Sequence, residues 1–260
     1  MAQFHGLLDD CNASEQIDLP FYFPEVPGEP SVDEHVLVRS GDRLVGFGRL
    51  PSGDEPEGCL MVRPDQRRQG IGTVLLDALS EMLRDRKLDQ SLLVADQASP
   101  SGKAFLAARA IPHESSEFRL EWRSSQPCAS IAELPGLTMR PAGGSDSETL
   151  VDVMGRSFDG DLDDVRDRVT EGLRETKRRF YLASVNGTPV GILRAGEVDG
   201  AGDITAFGVL PEFRGRGIGR WMLTNAVQRL ADQGFKRVLI EVATGNANAL
   251  GLYESCGFRI

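Results

Sequence analysis

The chain is poor in the residues that build metal sites and disulfide frameworks. It has four cysteines, Cys11, Cys59, Cys128 and Cys256, far apart in the sequence, and three histidines, His5, His35 and His113, that do not cluster. No C-x-x-C pair is present, so neither a zinc site nor a disulfide scaffold is expected, and no metal is called for. No apolar run approaches the ~18 residues of a membrane span, and the first residues lack a signal-peptide pattern. The expected setting is a reducing cytoplasm, with no membrane partner. Positive charge is also short: 29 Lys and Arg against 39 Asp and Glu leave a net charge of −10. A nucleic-acid partner needs a basic face, and none is expected here. The acidic balance suits a cationic substrate, although solubility alone is the simpler reason for it.

What is present is a core and a repeat. Hydrophobic residues make up 40% of the 260, enough to fill one large or two small domains. The segment Val209-Leu210-Pro211-Glu212-Phe213-Arg214-Gly215-Arg216-Gly217-Ile218-Gly219-Arg220 reads as a strand end, a glycine-rich turn and the start of a helix. Such a turn leaves several N–H groups without partners at the positive end of a helix dipole, which makes an anion site. A second copy runs from Val62 to Gly72, and its Gly70 precedes Gly217 by 147 residues. Two copies at domain spacing indicate a tandem repeat.

The halves read in parallel around a Ser/Pro/Gly linker at 124–137. In the second half, Phe180–Val185 and Val190–Ala195 flank Asn186-Gly187, a hairpin signal. Asp203–Leu210 is the strand entering the turn. Ile218, Trp221, Met222, Ala226, Val227 and Leu230 recur at helical spacing, and Arg237–Ala243 alternates as a strand. In the first half, Leu60–Arg63 precedes the turn, a helix follows from Ile71, and Glu117–Trp122 is expected to close the sheet. Two departures stand out. Phe4–Cys11 is helical where an opening strand is expected. The sequence also ends at Ile260 without the closing hairpin, so either the chain is cut short or its last strand comes from another element or subunit.

The motifs resemble those of the GNAT superfamily of acyl-CoA-dependent N-acyltransferases. Its first signature, [Gln/Arg]-x-x-Gly-x-[Gly/Ala], falls on Arg214, Gly217 and Gly219, and again on Arg67, Gly70 and Gly72. Its second, Asn-x-x-Ala-x-x-Leu-Tyr-x-x-x-Gly-Phe, falls on Asn246, Ala249, Leu252, Tyr253, Gly257 and Phe258 without a gap. Rival glycine motifs fail. A Walker A loop needs Gly-Lys-[Ser/Thr], and a Rossmann fingerprint needs glycine where Arg220 stands. The resemblance implies an α/β class (α+β, mixed sheet) with two tandem GNAT domains: residues 1–125, non-catalytic, and 136–260, catalytic. It also implies acetyl-CoA as cosubstrate and a small-molecule amine as acceptor, in a monomer or homodimer.

The resemblance further assigns roles. Gly215, Gly217, Ile218 and Gly219 would wrap the pyrophosphate, with Arg214, Arg216 and Arg220 neutralising its charge. A bulge near Gly208 and Val209, next to Phe207, would free the Val209 N–H to polarise the thioester carbonyl. Tyr253 would protonate the departing thiolate. Asn246 would contact the pantetheine arm or simply cap its helix. Asp203, eleven residues before Arg214, is the candidate base, with Glu241 or the acceptor's own pKa as alternatives. In the first copy the second signature has decayed: Ala107 and Ala108 fall where Leu-Tyr should be, and Pro112-His113 replaces Gly-Phe. Two other readings stay open: a mycothiol-synthase-like enzyme, and a non-catalytic acyl-CoA sensor or interaction module.

Overall fold

The computed structural model describes residues 2–17, 19, 34–51, 56–125, 134–198 and 200–260; most of the expected linker, and Cys128 within it, lie outside them. The chain divides into two compact units, Met1–Glu114 and Ser115–Ile260.

The first unit runs α1 (Ala2–Glu15), β1 (His35–Ser40), β2 (Arg43–Arg49), β3 (Glu57–Val62), α2 (Ile71–Asp85), β4 (Leu92–Leu93) and α3 (Pro100–Ala108). Its sheet has the order β1-β2-β3-β4, antiparallel except for the β3–β4 pair. Phe4, Leu7 and Cys11 recur on one face of α1 and bury against Leu44, Phe47 and Met61.

The second unit runs β5 (Glu117–Arg123), β6 (Leu137–Pro141), α4 (Ser147–Phe158), α5 (Leu162–Arg174), β7 (Arg178–Val185), β8 (Thr188–Val198), β9 (Ala201–Val209), α6 (Ile218–Asp232), β10 (Arg237–Ala243) and α7 (Ala247–Ser255). The sheet order is β5-β10-β9-β8-β7-β6, and only β9 and β10 are parallel. The β7–β8 turn is made by Asn186 and Gly187, both at positive φ, as a tight two-residue hairpin requires. Asp161 starts α5 by accepting from the N–H groups of Asp163 and Asp164. One face of the sheet packs on α6 through Ile218, Met222, Ala226, Val227 and Leu230; the other packs on α4 and α5 through Leu150, Val151, Val165 and Val169.

One expectation is corrected. Glu117–Trp122 does not close the first sheet. As β5 it pairs antiparallel with β10 along seven residues, Arg237↔Arg123 to Ala243↔Glu117. Two ion pairs cross this junction, Arg119–Glu241 and Arg237–Glu121. Beyond β5, the N–H and C=O of Glu121 exchange hydrogen bonds with Arg259. The last strand of the second sheet is thus supplied by another element of the same chain. An uncovered β10 edge would leave a row of unpaired N–H and C=O groups, which β5 satisfies.

Ahead of α4, Arg140 grips Asp146 with two guanidinium nitrogens, 2.9 and 2.6 Å away, and the Gly143 N–H adds a third bond at 2.9 Å. Together they hold the Asp146 carboxyl down at about 2. The stability this confers is complete above the ordinary Asp range and lost as pH falls toward 2. Because Arg140 is well exposed, solvent screens the pair, and Asp146→Asn is expected to cost about 1 kcal/mol at neutral pH. Urea unfolding at neutral pH and near pH 3 should show that cost shrinking in acid.

Candidate functional site

The site begins where two parallel strands part. β9 and β10 pair only over Gly202–Ile204 and Val238–Ile240. β9 then runs on to Val209, while Glu241–Ala243 of β10 stay with Arg119–Glu117 of β5. Among the described residues, Thr205 to Val209 therefore have no strand partner on that side.

The bulge falls two residues earlier than expected. Thr205 opposes Arg194 and Gly208 opposes Ile192, so Ala206 and Phe207 share a single residue of β8. Ala206 sits at φ +46, a left-handed conformation costing a non-glycine residue about 1–2 kcal/mol. Gly208 is not part of the bulge. A Cβ there would lie 2.7 Å from the Ser157 Cβ and 3.0 Å from the Phe158 ring, so its glycine lets the end of α4 approach the strand. The Leu210 N–H bonds to the Val190 carbonyl. By the two-residue alternation of antiparallel pairs, Val209 therefore turns its N–H and C=O away from β8, toward the opening.

After Val209, Pro211–Phe213 makes one tight turn and Arg214 is extended; Gly215 and Gly217 then take φ of +74 and +80. Gly217 is the N-cap of α6 and has no side chain to satisfy the helix. Among the described residues, the N–H groups of Gly215, Arg216 and Gly217 meet no backbone acceptor. Those of Ile218 and Gly219 lie in the first helical turn, where none exists. Among the described residues, only Leu134, at 3.9 Å, comes near a Cβ placed on Gly217.

The three arginines are anchored. Arg214 donates from Nε to the Val209 carbonyl at 2.9 Å and from Nη2 to the Ser157 carbonyl at 2.8 Å. Arg216 donates to the Glu212 carbonyl and lies over the Phe213 ring, and Arg220 donates to the Ser255 carbonyl at the end of α7. Arg214 is thus a brace between strand end and turn. Arg216 and Arg220 remain exposed and carry the positive charge at the rim. Ile218 is a core anchor, and Gly219 packs close to Leu252 of α7.

Asn246 caps α7 by accepting the Ala249 N–H at 3.1 Å. Tyr253, on the same helix, is buried between Phe207 and Phe258, with ring centroids 6.0 and 6.3 Å away. Burial pushes its phenol up to about 12, so it stays protonated throughout the neutral range. The neighbouring Cys256 is buried and its thiol is pushed up, which makes it a poor nucleophile.

Asp203 lies before the strands part and sits in a cluster that sequence reading misses. Arg178 at the start of β7 donates to its Oδ2 at 3.2 Å. Arg178 also grips Glu175 through two nitrogens, at 3.0 and 3.1 Å, and Arg194 of β8 bonds to the same Glu175. Burial raises the Asp203 pKa against the opposing pull of Arg178, with Glu241 adding to the rise. No local pattern links Arg178 to Asp203, 25 residues on; only the β7-β8-β9 pairing unites them.

The first unit repeats the turn, with a different residue at the place of Tyr253. Arg67 has the same φ and ψ as Arg214, −67 and 161, and braces the Val62 carbonyl at 3.1 Å. The offset of 147 also holds through the second helix. Ser99 caps α3 as Asn246 caps α7, and Ile111 bonds back to Leu106 as Phe258 does to Tyr253. Leu106, rather than Ala107 or Ala108, therefore stands at the tyrosine's place. Ala110 and Ile111 take those of Gly257 and Phe258. β3 and β4 part after Gly58 and Leu93, and Glu15 spans the opening. Its carboxylate accepts from Arg67 Nη1 at 2.9 Å, Ser99 Oγ at 2.5 Å and the Ser101 N–H at 3.2 Å.

Comparison with known proteins agrees with this architecture. The pattern of the acetyltransferase (GNAT) family matches residues 148–258, and that of the acetyltransferase (GNAT) domain matches residues 32–107. The chain is 32% identical over 243 residues to the mycothiol acetyltransferase of Kytococcus sedentarius, covering 86% of this chain and 78% of that one. It is 31% identical over 260 residues to that of Thermobispora bispora, covering 89% and 82%. Among solved structures, a GCN5-related N-acetyltransferase from Sphaerobacter thermophilus superposes with a TM-score of 0.78 at 20% identity, covering 99% of this chain and 88% of that one. A tandem GNAT protein from the clavulanic acid biosynthesis pathway superposes with a TM-score of 0.67 at 20% identity, covering 99% and 90%. Among the described residues no helix is long and apolar enough to cross a membrane.

Proposed function

The chain belongs to the GNAT acetyltransferase family, and we propose that its second unit transfers the acetyl group of acetyl-CoA to a primary amine of a small molecule by direct attack. The observation that carries this reading is the parting of β9 and β10 with a free-N–H turn at one side and Tyr253 at the other. Acetyl-CoA supplies the activated acetyl thioester. The N–H groups from Gly215 to Gly219 hold its phosphates, with Arg216 and Arg220 at the rim. Val209 points its N–H at the thioester oxygen, a contact of a kind worth about 10²–10³ in rate.

Asp203 takes a proton from the acceptor's ammonium, directly or through water, because only the neutral amine has a lone pair to attack. The new N–C bond forms as the C–S bond breaks, and Tyr253 gives its proton to the departing sulfur. The nitrogen sheds its second proton to water, which returns one to the tyrosinate, and Asp203 releases its own proton to solvent. No covalent acyl-enzyme is required, and the raised thiol pKa of Cys256 argues against one there.

The first unit, in this reading, supports the fold and takes no part in chemistry. Leu106 has no proton to give, and the Glu15 carboxylate lies across the opening that the pantetheine arm would need.

Identity of 31–32% across 86–89% of the chain favours an acceptor of the relatives' kind, the amine whose acetylation yields mycothiol. The test is direct: offer acetyl-CoA with mycothiol lacking its acetyl group, and separately with glucosamine and a polyamine. Thiol release and a product heavier by one acetyl group would be followed by mass spectrometry. Turnover confined to the mycothiol precursor supports the narrower reading, and turnover confined to other amines removes it. Retained acetyl-CoA binding with no turnover on any amine would favour the sensor.

A further inference from the structure

Three charged groups act on Asp203, and a fourth grips two of them. The three are Arg178 on β7, Arg194 on β8 and Glu241 on β10, and the fourth is Glu175 after α5. Glu175 holds Arg178 through two bonds and Arg194 through a third, which fixes the Arg178 fork in place. The fork reaches Asp203 with one nitrogen, on one carboxylate oxygen. Oδ1 of Asp203 meets no donor among the described residues. Glu241 is drawn the other way, into its pair with Arg119 on β5. Asp203, Arg178 and Arg194 are three-quarters or more shielded from solvent, so these charges act on one another with little screening.

We propose that Arg178, anchored by Glu175, is a positioning residue for acetyl transfer: it fixes Asp203 through one oxygen and leaves the other free to take the acceptor's proton. The inference rests on Asp203 serving as the base. Arg178 does not touch the acceptor; it sets the orientation of Asp203 and the pH at which Asp203 works. Burial makes Asp203 a stronger proton acceptor, and Arg178 restrains that rise. The two anchors therefore act with opposite signs. Without the Arg178 charge, the Asp203 pKa rises. Without the Glu175 charge, Arg178 is released from its grip and pulls harder on Asp203, so the pKa falls.

The experiment is the pH profile of kcat/KM for the full chain at saturating acetyl-CoA, using an amine that the wild type acetylates. Arg178→Gln is expected to lower kcat about tenfold and to move the acid limb up by about one pH unit, while KM for acetyl-CoA stays as it is. Arg178→Lys should bring the limb back and recover only part of kcat, because lysine keeps the charge but not the fork. Glu175→Gln should move the limb down. Parallel profiles for Arg178→Gln and the wild type, with Asp203→Asn at least a hundredfold impaired, would overturn the proposal while leaving the base assignment standing. Full activity in Asp203→Asn would remove the base itself. Should Arg178→Gln fail to fold, the downward shift in Glu175→Gln decides the matter alone: its absence overturns the proposal.

Discussion

Gly217→Glu is expected to weaken acetyl-CoA binding at least about a hundredfold, while Gly70→Glu leaves the affinity of the intact chain unchanged. Gly217 has φ +80 at the start of α6, with N–H groups on either side that meet no backbone acceptor among the described residues. A side chain there adds about 1–2 kcal/mol of backbone strain. Glutamate also places a carboxylate in the cradle, against the phosphates that the helix end would attract. A hundredfold loss corresponds to about 2.8 kcal/mol, which strain and repulsion together can supply. Gly70 has the same conformation, at φ +86, and among the described residues no atom lies within 4 Å of a Cβ placed there. Substitution at Gly70 thus carries a similar strain, and its effect on affinity reports only whether the first unit takes the cosubstrate. Calorimetric titration of the full chain reads both variants. Loss in Gly70→Glu alone would move the cosubstrate to the first unit and undo the division of labour proposed here.

The contrast between these two turns shows what the sequence can and cannot convey. The turn and the Asn246–Phe258 run are legible because each is a short, continuous segment with fixed spacing. Leu106 was within reach as well. Holding the 147-residue offset of the glycine turns through to the second helix aligns it with Tyr253, whereas matching by residue type slides the register. β5 was not legible, because the alternation of Glu117–Arg123 says that it is a strand and not which edge it joins. The bulge is legible only approximately, since its position depends on how β8 meets β9 and not on β9 alone. Charge alone marks the arginines as phosphate contacts. Their actual partners, the carbonyls of Val209, Ser157, Glu212 and Ser255, are backbone groups that no side-chain pattern announces. The cluster around Asp203 lay furthest out of reach, because its members come from separate elements and meet only when the sheet forms.

Tyr253→Phe is expected to lower kcat by about 10²–10³, with KM for acetyl-CoA changed less than threefold. The substitution removes one oxygen from a side chain packed between Phe207 and Phe258, and leaves the ring to fill the same space. Stability should therefore hold, because among the described residues the Tyr253 hydroxyl has no hydrogen-bond partner to lose. What the variant loses is a proton held in place at neutral pH by the burial that raises the phenol to about 12. The departing sulfur is then left to take its proton from water, without a positioned donor. Such a step costs more when the leaving group is a poor one. Single-turnover kinetics should show the defect in the acyl-transfer step and not in binding. A phenylalanine variant with wild-type turnover would mean that the thiolate leaves unassisted, and Tyr253 would then be a packing residue of α7. Retained acetyl-CoA affinity with lost turnover would identify the hydroxyl as the acid and separate an acetyltransferase from a sensor, because a sensor needs the ring and has no use for the proton.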